Sequence, residues 1–190
     1  MSYYNTATLH TPCPAGTHPA TCVTVAELGM QPGYQNGPPK AQVYIAFEIS
    51  GPTRDDGQPF VLGKRYTASL FEKAALFEVV DSLLGKVPAV KEFNPGDLLG
   101  KCGLVKVSQK TRTDGSVSAQ VDSVIGLPLG MPKPEASQSL LFYSWNEPDR
   151  DVYDQLPEWL RNVIDAGEEL PKPTKPPVAE TVPSGNALPW

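Results

Sequence analysis

The chain predicts a mainly β fold. It is expected to form a five-stranded Greek-key barrel of the OB type, with a helix between strands three and four, a C-terminal amphipathic helix and a disordered tail. Three observations lead there. KAQVYIAFEIS (40–50) and FVLGKRYTASLF (60–71) have strand character, and the next run, EKAALFEVVDSLL (72–84), changes at once to a helical period. Asp114-Gly115 lies between two further alternating runs, KCGLVKVSQKT (101–111) and SVSAQVDSVIGL (116–127), which is a hairpin signal. A fifth run, HPATCVTVAELG (18–29), precedes the others. The order strand, strand, strand, helix, strand, strand is the OB layout, and another α+β sandwich is the competing arrangement.

Residues 1–17 are polar, with Pro12, Pro14 and Gly16, and read as a loosely held arm. The first strand stops at Gly29, before the turn-rich loop MQPGYQNGPP (30–39). In the second strand Val43, Ile45, Phe47 and Ile49 share one face, while Gln42, Tyr44, Ala46 and Glu48 share the other. The third strand carries Lys64, Arg65 and Tyr66; alternation puts Arg65 and Tyr66 on opposite faces, and Tyr66, in phase with Ala68 and Leu70, belongs to the core. In the helix Ala75, Leu76, Val79, Val80, Leu83 and Leu84 form the apolar stripe.

The barrel is expected over 18–127, followed by an extension over 128–170 that packs on it and a Pro-rich mobile tail over 171–190. Within the extension Leu141, Phe142 and Trp145 should pack back. QLPEWLRNVIDAG (155–167) reads as a short amphipathic helix with the stripe Leu156, Trp159, Leu160, Val163 and Ile164.

Composition limits function. No apolar run approaches the ~20 residues of a membrane span, and the N-terminus lacks the basic start and apolar stretch of a signal peptide, so a cytoplasmic protein is expected. The net charge of -5 opposes bulk coating of nucleic acid, but it is unevenly placed. Residues 1–144 carry twelve basic and twelve acidic residues, and 145–170 carry two against eight, so the surplus lies outside the barrel. His10 and His18 are the histidines, and no phosphate loop, GxSxG or HExxH motif is present, so catalysis and cofactors are not expected. Cys13, His18, Cys22 and Cys102 lack the CxxC spacing of a zinc knuckle; Cys22 and Cys102 are expected to be small core residues on adjacent strands instead of members of a metal site.

Strand faces that offer cations and flat side chains suit nucleic acid, because cations meet phosphates and aromatic rings stack on bases. The candidate DNA-binding residues are Tyr44, Lys64, Arg65, Lys106, Lys110 and Arg112, with Tyr34 in the loop after the first strand. The apolar tip Leu188, Pro189 and Trp190 is a candidate partner-binding element. From another class, the chain reads as a protein-interaction module that recruits partners through the acidic helix and this tip, without nucleic acid. RNA in place of DNA also stays open.

YTASLFEKAALFEVV (66–80), DLLGK (97–101) and LPEW (156–159) carry a resemblance over roughly residues 17–168. The chain resembles a family of small bacteriophage proteins regarded as OB-fold single-stranded DNA-binding proteins. The resemblance implies non-catalytic, sequence-independent binding of single-stranded DNA in phage DNA replication or recombination, in the host cytoplasm. Pro189 and Trp190 are similar to the last Pro-aromatic pair with which bacterial single-stranded DNA-binding proteins recruit replication and repair enzymes. Those tips are strongly acidic, whereas here Glu180 is opposed by Lys172 and Lys175. The acidic segment Glu147–Glu169 is expected to take over the role of competing with DNA.

Overall fold

The computed structural model describes residues 11–33 and 37–167. The strands are β1 (Gly16–Gln31), β2 (Lys40–Thr53), β3 (Pro59–Thr67), β4 (Cys102–Thr111), β5 (Val117–Gly126) and β6 (Leu141–Tyr143). The helices are α1 (Ala75–Leu84), α2 (Arg150–Gln155) and α3 (Glu158–Asp165), and a 3₁₀ turn at Pro95–Leu98 leads into β4. Among the described residues, no helix is long and apolar enough to cross a membrane.

The sheet has the order β3-β2-β1-β4-β5, with antiparallel ladders throughout, and α1 falls between the third and fourth strands. The sheet curls but does not close by a ladder. At its two ends β3 and β5 approach each other, and the Lys64 Nζ donates across the seam to the Asp122 carbonyl at 3.2 Å. β1 is longer than the expected strand because its edge serves two partners: Gly16–Thr21 pair with β4, and Thr24–Ala26 pair with the parallel β6. A register shift between Cys22 and Thr24 separates the two uses, as a bulge does when it bends a strand.

The core inside the curl follows the period-two pattern. Val43, Ile45, Phe47 and Ile49 of β2 meet Ala20, Cys22 and Val25 of β1 and Val105, Val107, Val121 and Val124 of β4 and β5. Helix α1 adds Leu76, Val79 and Val80, and Tyr66 is buried here as alternation requires. At ~25 cal/mol per Å² of apolar surface removed from water, burial of each large side chain is worth about 1.5–3 kcal/mol, so this cluster is the main source of stability.

A second cluster lies on the outer face of β1. Ala26 and Leu28 pack against Tyr143 of β6 and against Leu156, Leu160 and Ile164 of the C-terminal helices. The buried Gln31 side chain pins α3 by donating to the Leu28 and Val163 carbonyls at 2.6 and 3.0 Å. Phe142 joins the main core, while Leu141 and Trp145 border the second cluster. The expected helix is α3, entered through Pro157, and a further short helix, α2, precedes it. Asp149 caps α2 by accepting from the amides of Asp151 and Val152, and Leu156 is extended because it precedes Pro157, which breaks the helix before α3 begins.

The arm boundary at residue 17 shifts toward the N-terminus. Cys13 is 1% exposed, its carbonyl accepts from Gln109 Nε2 at 3.0 Å, and β1 begins at Gly16, so the segment from Cys13 onward belongs to the body. The cysteines are all free. Burial pushes the Cys22 thiol up to about 12. Cys102, on the adjacent β4, lies half-buried on the outer side, with Sγ 3.5 Å from the Pro134 carbonyl. Among the described residues, no three His, Cys, Asp or Glu side chains are grouped to hold a metal ion.

Candidate functional site

The fold gives the sheet two unlike outer surfaces. Over β1 and β2 the segment after β5 forms a cover. Thr21 donates to the Pro134 carbonyl at 2.9 Å, and Glu48, 6% exposed, accepts from the Ser137 and Gln138 amides at 2.8 and 3.1 Å and from the Ser137 hydroxyl. Glu27 likewise accepts from the Ser144 hydroxyl and the Trp145 amide, both at 2.9 Å. These polar side chains are consumed by the fold. The apolar side of α3 is buried on β1, while the acidic residues Glu147, Asp149, Asp151, Asp154, Glu158 and Asp165 are exposed.

Apart from Cys102, which meets the Pro134 carbonyl, the outer surface of β4 and β5 has no such cover among the described residues. Val105 and Val107 point into the core, so alternation turns Lys106 outward, and Ser108 and Lys110 continue the row. The two lysines are four residues apart on one strand, which spaces them by about 13 Å. Ser118, Gln120 and Ser123 of β5 lie opposite Lys110, Ser108 and Lys106. Ser108 donates to Asp122 Oδ1 at 2.7 Å and accepts from Gln120 Nε2 at 3.2 Å, a short polar network between the lysines. Arg112 begins the hairpin turn, where its amide donates to the Ser116 carbonyl at 2.8 Å. Gly115 takes a φ of 81°, which a side chain would resist. Asp114 is held below the usual carboxylate range by the Ser116 hydroxyl and amide, with a smaller contribution from the Arg112 charge.

Lys64 and Arg65 part company. Lys64, half-buried, reaches into the β3–β5 seam and lies 5.6 Å from the centre of the Tyr66 ring. Arg65 is exposed on the outer side, directly across from Tyr44 of β2. Tyr44 is half-buried: its ring lies over Gly63, where a Cβ would run into the Tyr44 hydroxyl and ring. Trp159 of α3 meets it edge-to-face at 5.1 Å and 82°, and burial pushes the Tyr44 hydroxyl up to about 12. Tyr44 is therefore a packed aromatic in this arrangement, and its partner Trp159 is 49% exposed. The helical stripe placed Trp159 with Leu156 and Leu160; its contact with Tyr44 spans more than a hundred residues of chain. Tyr34, Leu188, Pro189 and Trp190 lie outside the described residues.

Among the described residues the ion pairs are Arg54–Asp56 at 3.2 Å and Arg150–Asp154 at 3.0 Å; Arg65, Lys106, Lys110 and Arg112, like most of the other cations described, form none with a described carboxylate. A cleft of about 620 Å³ opens at one end of the seam, lined by Cys13, Phe60, Leu62, Val117 and Ala119 among others. Its cation, Arg54, is the one held by Asp56, and its Asp55 accepts from the Thr11 hydroxyl at 3.2 Å.

No protein-family model and no curated protein matches the chain. Three segments singled out in the sequence fall at junctions of the fold: YTASLFEKAALFEVV runs from the end of β3 into α1, DLLGK makes the turn into β4, and LPEW is the break between α2 and α3. They fix connections.

Proposed function

We propose that the protein binds single-stranded DNA without catalysis and with little sequence preference, protecting or presenting it during phage DNA replication or recombination in the host cytoplasm. In this reading the sheet is an OB-type barrel whose last edge, β3 to β5, is bridged by Lys64 in place of a ladder. Its support is the strand order and the position of α1 between the third and fourth strands. The binding surface is the uncovered one, with Lys106, Lys110 and Arg112 along β4 and its hairpin and Arg65 on β3.

The observation that carries the reading is the placement of Lys106, Lys110 and Arg112 along β4 and its hairpin and of Arg65 on β3, all exposed and without an ion pair among the described residues. An exposed ion pair is worth only about 0–1 kcal/mol, so unpaired cations cost the fold little, while each one that neutralises a phosphate releases counterions. The test is titration of a fluorescently labelled oligo-dT at low and moderate salt. Binding that weakens steeply with salt is expected, and competition between matched DNA and RNA strands separates the DNA reading from an RNA one. Absence of binding at both salt concentrations would overturn the reading and leave the alternative, a protein-interaction module acting through the acidic helices.

A further inference from the structure

We infer that the protein pairs with a second copy of itself at the end of the curl where β3 runs into α1, the Phe71 ring of each copy entering an apolar cavity of the other. The inference is independent of the DNA reading. Its ground is a knob beside a hole. The hole is a cavity of about 200 Å³ lined by Val43, Ala68, Leu70, Leu76, Val90 and Phe93 among others, and Glu27 at its border already accepts from Ser144 and Trp145. An apolar cavity of about 150 Å³ is enough for a benzene ring. The knob is Phe71, which follows the lining residue Leu70 in the chain and keeps 82% of its surface in water, while Val90 on the rim keeps 75%.

Both exposed side chains are presented by closed turns. The Ala74 amide donates to the Phe71 carbonyl at 2.8 Å, and the amides of Glu92 and Phe93 donate to the Ala89 carbonyl at 2.8 and 3.1 Å. A two-fold interface requires each copy to offer both halves of the contact on one surface, which a knob next to a matching hole does. The charges point to the same pairing. Phe71 is followed by Glu72 and Lys73, and Val90 by Lys91 and Glu92, all four exposed and without an ion pair among the described residues. The sign order is reversed between the two turns. A Phe71 turn laid in the same direction along the Val90 turn of a second copy therefore brings Glu72 to Lys91 and Lys73 to Glu92, and such rim charges set register and reject wrong partners more than they add affinity. A different protein would have to supply both features, whereas a second copy carries them already. Gly29, near the end of β1, borders the cavity, while the start of β1 pairs with Lys106 and Val107, so the pairing leaves Lys106, Lys110 and Arg112 uncovered.

The experiment is sedimentation velocity of the full chain at increasing concentration. A concentration-dependent dimer is expected. Phe71→Asp should leave a monomer, and Phe71→Ala should raise the dimer dissociation constant about 30-fold or more, as loss of a central aromatic anchor does. Phe71 is exposed, so both chains should keep the wild-type Tm; Val90→Asp, on the other turn, is a second disruption that does not depend on position 71. Glu72→Lys should weaken the dimer roughly 2- to 10-fold, and adding Lys91→Glu should restore it, a recovery that only this register predicts. A wild-type chain that stays monomeric at every concentration, as it would if the patch served a different protein, would overturn the inference. So would a dimer that survives both Phe71→Asp and Val90→Asp.

Discussion

The outer faces of β2 and β4 come from the same kind of alternating strand, yet on β2 the outward residues Tyr44, Ala46 and Glu48 are covered, and on β4 Lys106, Ser108 and Lys110 meet solvent or only their β5 neighbours. The difference comes from the described part of the segment after β5, residues 127–167, which returns over β1 and β2. On the covered side Thr21, Glu27 and Glu48 are matched by groups of the returning chain, as Glu48 is by the Ser137 and Gln138 amides. On the open side Ser108, Gln120 and Asp122 bond to one another, and the cations form no ion pair among the described residues. A charged residue on an outward strand position is thus structural on one side of this molecule and available on the other.

The contrast can be broken most strongly from the covered side. Leu160→Ala removes a fully buried side chain from the cluster that seats α3 and should cost about 2–5 kcal/mol, read from urea denaturation. A loss below 0.5 kcal/mol would show that the cover is loosely attached. Deletion of residues 145–190 would bare Ala26 and Leu28, so it tests folding before it tests competition with DNA.

Alkaline titration probes the buried groups. Burial raises the Cys22 thiol from 9.0 to about 12 and the Tyr44 and Tyr66 hydroxyls from 10.0 to about 12, with the Cys22 charge adding to the shift at Tyr66. The folded chain keeps these protons to higher pH than the unfolded chain does. Their stabilisation is therefore intact below pH 9 and is lost as pH rises toward 12. The Tm should fall across that window, and less steeply in a Cys22→Ala, Tyr44→Phe chain; parallel curves for the two chains would contradict the burial of these groups.

The smallest effect on stability belongs to the open side. Joint replacement of Lys106 and Lys110 by Ala should change unfolding free energy by less than about 0.5 kcal/mol, while lowering the salt slope of oligo-dT binding by about 2. An unaltered slope would remove both lysines from the interface, and a large loss of stability would erase the distinction between the two sides.

Local chemistry made much of the architecture legible. Period two along 43–49, the change to 3.6 at α1 and the Asp114-Gly115 turn each act within a few residues, and the strand order around α1 follows from them. Tyr66 could be assigned to the core because alternation left no other choice. The start of α3 was also written locally, in Pro157, as was that of α2 in the cap Asp149, which the apolar stripe of 156–164 does not reach.

The sequence alone determined which residues share a face, since that depends only on backbone period. Tertiary structure alone decided which face is covered, because Glu48 and Ser137, Tyr44 and Trp159, or Cys13 and Gln109 meet across some 80 residues or more of chain, and no local pattern encodes such distances. For the same reason Lys64 and Arg65, adjacent in sequence and alike in charge, part into a seam bridge and an exposed cation.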